Sequence, residues 1–237
     1  MQFIELKAST FQFNKINSNI KNYKTMKDFK FETLNSENAA LLLVDHQTGL
    51  AQCVRDMSPE TWKNNALAIA KIGKIFNLPT VLTTSAEDGA NGPLLPEIAE
   101  LHSDAPYISR GGEINAWDNT EFKAAVEATG RKKLIIAGVS TDVCVLFPAL
   151  SALAEGYDVY AVIDSSGTWS EIAQTTTVAR LAQAGAKVTS WMSVSAELQK
   201  DWRNPTGQAL GGLYAQHLQA YGHLFSSLAA AQKAANK

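Results

Sequence analysis

The sequence predicts an α/β fold built on a six-stranded parallel sheet, and three observations carry the prediction. Short, unbroken apolar runs such as residues 39–44 and 134–137 recur along the chain, and continuous apolarity marks strands buried on both faces, as parallel strands are. Segments with helical spacing separate these runs, the pattern of βαβ units with right-handed crossovers. The runs end in polar residues, and in a parallel sheet all such exits lie on one edge, where open α/β sheets bind ligands.

In chain order, residues 39–45 form the first strand, ending in the carboxylate of Asp45. Residues 59–76 carry Trp62, Ala66, Ile69, Ala70 and Phe76 at helical spacing, with Pro59 suited to the first turn. Residues 78–84 are the next strand, and 85–93 a polar, Gly-containing loop. A short helix over 94–102 leads to a brief strand at 106–110. The loop 111–119 precedes a helix over 120–129, and the run at 134–137 is the central strand. A helix then begins near Ser140, Thr141 and Asp142, all candidate caps. Residues 157–163 give the fifth strand, 164–168 its exit loop, 170–184 a helix and 186–190 the sixth strand. Beyond these, Leu210, Leu213, Tyr214, Leu218, Tyr221, Leu224, Phe225 and Leu228 recur at three- and four-residue steps. That amphipathic stripe must be covered, by its own domain or by a second subunit, and a homo-oligomer is expected.

Length and composition narrow the function classes. The 237 residues suit one α/β domain of the larger kind; 46% are apolar and 19% charged, enough for a sizeable core. Net charge is −2 and no Lys/Arg cluster stands out, which argues against nucleic acid or an anionic membrane as main partner. No apolar run approaches the ~18 residues of a membrane-spanning helix. Cys53 and Cys144 give no disulfide framework, and a reducing cytoplasm is the expected home. Residues 1–36 read as an N-terminal extension without chemistry: lysine-containing, free of arginine, and lacking the apolar core of a secretory signal. Met26 offers an alternative start. The expected divisions are 1–36, a main α/β domain over 37–204, and a helical extension over 205–237.

The chemistry centres on Cys144. It falls in the first turn of a predicted helix, just past a buried strand, where unpaired N–H groups and the helix dipole favour a thiolate. Pro148, four residues on, removes the N–H that would bond the Cys144 carbonyl, so the helix is expected to kink or widen. Other strand exits offer Asp45, then Glu87 with Asn91, then Arg110. A carboxylate, a fixed cation and a thiol suit nucleophilic attack, with the acid moving the proton and helix-start N–H groups facing a developing oxyanion. Glu87, Asn91, Asn115, Trp117 and Phe147 are candidate binding residues of a pocket for a small-molecule substrate. Each has a plain structural alternative: Cys144 as a small buried hydrophobe, Asp45 as a cap, Arg110 in a surface ion pair, Glu87 solvated, Trp117 at an interface.

Residues 41–50 (LLLVDHQTGL) and 134–145 (LIIAGVSTDVCV) resemble the two signature segments of isochorismatase-like cysteine hydrolases. Residues 82–94 (LTTSAEDGANGPL) and 106–119 (PYISRGGEINAWDN) are similar to the YcaC-like subgroup. The resemblance runs from about residue 36 past Asn204. It implies a doubly wound, Rossmann-like sheet with helices on both faces. It also implies an Asp–Lys–Cys triad, whose members carry over to Asp45 and Cys144, and a cis peptide at Val139–Ser140 that would aim an N–H at the site, so that these two are the residues expected to face an oxyanion. Where most of the family has Lys, this chain has Arg110. Arginine stays protonated, so proton transfer would rest on Asp45 alone. The nicotinamidase branch would add Asp-x-His metal ligands, but His46, His102, His217 and His223 lack that spacing. Strand alternation sends His46 to the face opposite Asp45. No metal and no organic cofactor is expected.

The leading expectation is therefore a hydrolase of a small amide or related C–N substrate, acting through a Cys144 thioester. Two alternatives stay open: vinyl-ether hydrolysis of an isochorismate-type acid with Asp45 as proton donor, and a non-catalytic oligomeric binder or thiol redox sensor.

Overall fold

The first strand to form the sheet's centre, β1 (Ala39–Val44), is buried at every position, as its unbroken aliphatic run requires. It lies between β2 (Thr80–Ser85) and β4 (Lys133–Gly138), and the full strand order is β3-β2-β1-β4-β5-β6, with β3 at Tyr107–Arg110, β5 at Asp158–Val162 and β6 at Lys187–Thr189. All five pairings are parallel, for example Leu42 with Val81 and with Ile136. The order reverses between β1 and β4, so the fold is doubly wound and its switch point lies between the exits carrying Asp45 and Cys144. This computed structural model describes residues 32–235, and the chain from Leu34 onward forms one unit.

Helices cover both faces. They are α1 (Thr48–Ala51), α2 (Pro59–Ile75), α3 (Pro96–Leu101), α4 (Thr120–Ala128), α5 (Leu146–Ala154), α6 (Glu171–Ala184), α7 (Trp191–Gln199), α8 (Gly207–His217) and α9 (Gln219–Ala235). Strand alternation divides the core in two. Leu41, Leu43, Ile135 and Ala137 meet Trp62, Ile69 and Ile72 of α2, Ile98 of α3, Val194 of α7 and Leu210 and Leu213 of α8. Ala40, Leu42, Leu134 and Ile136 meet Phe122 and Val126 of α4, Ala149 and Ala152 of α5 and Leu181 of α6. Each fully buried Leu or Ile contributes roughly 1.5–3 kcal/mol.

Local signals fix the helix ends. Ser58 accepts from Thr61 N–H ahead of Pro59, Asn119 from Phe122 N–H and Ser190 from Ser193 N–H. Gly185 ends α6 in the left-handed region at φ 97°. The expected caps at 140–142 do not form: neither Ser140, Thr141 nor Asp142 caps with its side chain, because residues 141–145 wind as a π turn, not an α turn. The widening expected ahead of Pro148 takes this form. Helix α7 lies beyond the expected set, although Trp191, Val194 and Leu198 mark its buried face.

The C-terminal stripe is two helices rather than one. Leu210, Leu213 and Tyr214 of α8 are buried in the domain's own core, while Leu224, Phe225 and Leu228 of α9 stand 60%, 47% and 54% exposed. Among the described residues, no helix is long and apolar enough to cross a membrane.

Gly138 is where β1 and β4 approach most closely at the functional edge. A Cβ there would sit 2.1 Å from the Val44 carbonyl oxygen, and a backbone atom cannot rotate away. Gly138→Ala should cost about 3 kcal/mol by overpacking; urea unfolding of the variant beside wild type measures it, and an unchanged midpoint would contradict the close approach.

Candidate active site

Asp45 leaves β1 by a sharp change of backbone. Its φ is 56°, in the left-handed region that Asp tolerates better than most residues. Its N–H donates to the Thr83 carbonyl at 2.9 Å and its own carbonyl accepts from Gln47 N–H at 2.7 Å. The side chain thereby reaches Arg110 and Cys144. His46 turns to the other face, where its ring stacks on Trp62 with centroids 6.1 Å apart and Nε2 lies 3.0 Å from the Ser165 carbonyl.

Arg110, at the end of β3, is 1% exposed. Its NH2 donates to Asp45 Oδ1, its NH1 to the Glu113 carbonyl, and its Nε to Thr83 Oγ1 at 3.0 Å. Thr83 in turn donates to the Ile108 carbonyl at 2.8 Å. The guanidinium is thus held on three sides, and the pair Asp45–Arg110 has no exposed side-chain surface. Asp45 Oδ2 has no hydrogen bond of regular geometry. It belongs to the carboxylate that faces the Cys144 thiol, and the two groups influence each other's ionisation.

The thiol is half-buried within the π turn, and the Ser140 N–H points at its sulfur. Sequence reasoning expected a depressed thiol pKa from the cation and helix dipole, and the structure corrects this. Burial first, then the Asp45 charge, push Cys144 well above the usual thiol range, and the Ser140 N–H and Arg110 offset only part. Arg110 is committed to Asp45 and does not touch the sulfur. Burial likewise raises Asp45, against the pull of Arg110. At rest the site therefore holds a protonated thiol beside a paired carboxylate whose basicity is raised.

The Val139–Ser140 peptide is cis. Val139 N–H is spent on the Val44 carbonyl at 3.1 Å, so of the two residues expected to face an oxyanion, Val139 does not and Ser140 serves the sulfur. Phe147 shares the apolar cluster beside Cys144, with the Arg180 guanidinium 6.0 Å from its ring centre.

The other four expected binding residues spend their polar atoms on neighbours in the fold. Trp117 is buried edge-on to Phe122 and Tyr157 and donates from Nε1 to Glu155 at 3.0 Å. Glu155 follows the far end of α5, about 16 Å along the helix from Cys144 at 1.5 Å per residue. Asn115 donates to Ser151 Oγ at 3.1 Å, also on the remote half of α5, so both residues anchor their loop to that helix. Glu87 accepts from Thr84 at 2.8 Å and from Tyr107 on the β2–β3 edge. Asn91 closes its own loop, donating to the Ser85 carbonyl at 2.8 Å.

Sequence reasoning missed Thr83, the backbone carbonyl of Glu113, and Gln47, whose amide bridges the β1 exit to Ser85 and Gly92. A Thr in mid-strand and a Gln after a strand carry no signal of their own; only the strand register brings them in. A cavity of about 940 Å³ opens on the α2 side between Val54, Met57, Trp62 and Leu95, but neither Asp45, Arg110 nor Cys144 borders it. Among the described residues, no three of His, Cys, Asp and Glu are grouped to hold a metal ion.

An isochorismatase domain is matched over residues 39–193. The probable hydrolase YcaC of Escherichia coli is 54% identical over 194 residues, covering 82% of this chain and 93% of that protein. Two solved structures superpose with TM-score 0.83. One is YcaC from Pseudomonas aeruginosa with hexane-2,5-diol and covalent acrylamide, 53% identical, covering 85% of this chain and all of that one. The other is the E. coli YcaC gene product, described as an octameric hydrolase of unknown specificity, 52% identical, covering 85% of this chain and 98% of that one.

His46 gives the site's surroundings a pH signature. Burial lowers its pKa from 6.5 to about 4, so the unfolded chain takes up a proton that the folded chain refuses. The resulting stability is complete above pH 6.5 and is lost as pH falls towards 4, amounting to about 3 kcal/mol over the window. Urea unfolding at pH 7 and pH 4.5 should show a drop about 2–3 kcal/mol smaller in His46→Gln than in wild type; equal drops would contradict a neutral buried ring.

Proposed function

The chain belongs to the isochorismatase family of hydrolases, and from that premise we propose that it is a cysteine hydrolase of small amides or related C–N substrates. The observation that supports the reading is the fully buried Asp45–Arg110 pair with the Cys144 thiol hydrogen-bonded to the same carboxyl group.

The thiol is the resting form, so attack and proton transfer are coupled. As Cys144 Sγ bonds to the substrate carbonyl carbon, its proton passes to Asp45 Oδ2. Arg110 keeps Oδ1 occupied and cannot itself release a proton, so it fixes the acid's orientation. The Ser140 N–H steadies negative charge on the sulfur. Asp45 then returns the proton to the departing nitrogen as the C–N bond breaks, leaving a thioester. Water attacks the thioester as Asp45 takes its proton, the C–S bond breaks to release the acid, and Asp45 passes the proton to Sγ, restoring the thiol. A raised carboxylate pKa suits this double duty, since a stronger base takes a thiol proton more readily.

The covalent acrylamide on the P. aeruginosa relative supports a reactive nucleophile in this subgroup, because an accessible thiol takes up such electrophiles. The octameric E. coli relative supports a homo-oligomer, and the exposed Leu224, Phe225 and Leu228 face of α9 is apolar surface that assembly would cover.

One observation favours a second reading. A buried carboxyl of raised pKa can also act as proton donor, the step that vinyl-ether hydrolysis needs without any covalent adduct. The Cys144→Ala variant separates the two. Screened on a panel of small amides and carbamates by intact-mass spectrometry, wild type should show an acyl adduct that disappears in Cys144→Ala, together with turnover. Asp45→Asn should lower turnover by at least about a hundredfold, the usual worth of general acid–base catalysis. Turnover of an isochorismate-type vinyl ether, added to the panel, that survives in Cys144→Ala without any adduct would point to the second reading.

A further inference from the structure

Thr168 lies in the loop after β5 and is 0% exposed, and all three of its polar groups are committed. Its hydroxyl donates to Asp142 Oδ1 at 2.7 Å, in the π turn two residues before Cys144. Its N–H donates to Asp56 Oδ1 at 2.9 Å, and its carbonyl accepts from Arg55 N–H at 2.8 Å. The other Asp56 oxygen accepts from Gln174 Nε2 of α6 at 2.9 Å. The residue before it, Gly167, accepts from Thr141 N–H at 2.9 Å and donates to the Gly138 carbonyl at 3.2 Å. A Cβ at Gly167 would fall 2.6 Å from Val54 and 2.9 Å from Trp62, so the strut is wedged between the 54–56 segment and the nucleophile turn.

The geometry has a chemical consequence. The π turn lacks side-chain caps: Ser140 Oγ and Thr141 Oγ1 are buried without partners. Asp142 is the turn's polar anchor, and the atom that anchors it is the Thr168 hydroxyl. We propose that Thr168, clamped by Asp56, is a positioning residue that sets the direction of the Cys144 sulfur towards Asp45. This rests on Cys144 being the nucleophile. Neither Thr168 nor Asp56 touches the reacting atoms; both act through Asp142 and its turn.

The test is alkylation of the full chain by iodoacetamide, read separately at Cys144 and Cys53 by peptide mass spectrometry. Cys53 is exposed and reports reagent and handling. Thr168→Val keeps the side chain's shape and removes the hydroxyl; Thr168→Ser keeps the hydroxyl and removes the methyl. Loss of a hydrogen bond to a carboxylate should slow Cys144 labelling about tenfold in Thr168→Val, while Thr168→Ser stays within about twofold of wild type. A role in packing alone predicts the reverse order, and equal rates in all three proteins would also overturn the proposal. Should Thr168→Val not fold, Asp142→Ala and Asp142→Asn on the half-buried turn ask the same question. Asparagine still accepts the bond, so only the alanine variant should be slow, and equal rates in the two would refute the clamp. If wild type labels only Cys53, the nucleophile reading itself fails, an outcome distinct from labelled Cys144 indifferent to Thr168.

Discussion

The ion pair between Asp45 and Arg110 is closed off from water on both sides. Removing two charges from solvent costs several kcal/mol per ion, and their attraction repays this only with good geometry and further hydrogen bonds. Those bonds are present. Thr83 and the Glu113 carbonyl take the remaining edges of the guanidinium, and Thr83 is itself oriented by the Ile108 carbonyl. The arrangement spans three neighbouring strands, β1, β2 and β3, so the parallel register is a condition for the pair. The pair in turn leaves one carboxylate oxygen for the thiol. An Arg in this position gives up a second proton carrier and gains a fork of donors that locks the acid in place.

Cys144 sits on the other side of the switch point, and its surroundings explain why its thiol is held protonated. A turn of α type with free N–H groups would lower the pKa of a cysteine in its first turn. Here the backbone widens over residues 141–145, a single N–H reaches the sulfur, and burial beside a carboxylate outweighs it. In the proposed function, activation comes from a base within reach and not from a standing thiolate. That division of labour makes the direction of the sulfur matter, since a protonated nucleophile is useful only where its proton has somewhere to go.

The outer parts of the chain show how one periodic pattern serves two purposes. The stripe from Leu210 to Leu228 is continuous in the sequence, yet its first half closes the domain's own core against α2, and the second half leaves leucine and phenylalanine in solvent. An aromatic series from Trp191 through Tyr214 and Tyr221 to Phe225 joins the two halves. Periodicity says that a face must be covered; it does not say by what.

The sequence by itself determined the strands, the parallel architecture and the exits from which Asp45, Arg110 and Cys144 emerge. Those features follow from local regularities: unbroken aliphatic runs, Pro59 at the start of a helix, and a proline four residues after the cysteine. It also placed His46 on the face away from Asp45, because alternation along a strand is local. Tertiary structure decided the rest. Whether Arg110 would serve the sulfur or the carboxylate depended on the register of β1, β2 and β3. The π turn is tied by hydrogen bonds to Gly167 and Thr168, far along the chain. Trp117, Asn115 and Glu87 read as pocket residues because they sit in loops near strand exits, yet each spends its polar atoms on a partner 3 to 38 residues away in the chain. Periodicity reports which side of an element is buried, whereas hydrogen-bond direction and pKa depend on neighbours that only the folded chain brings together.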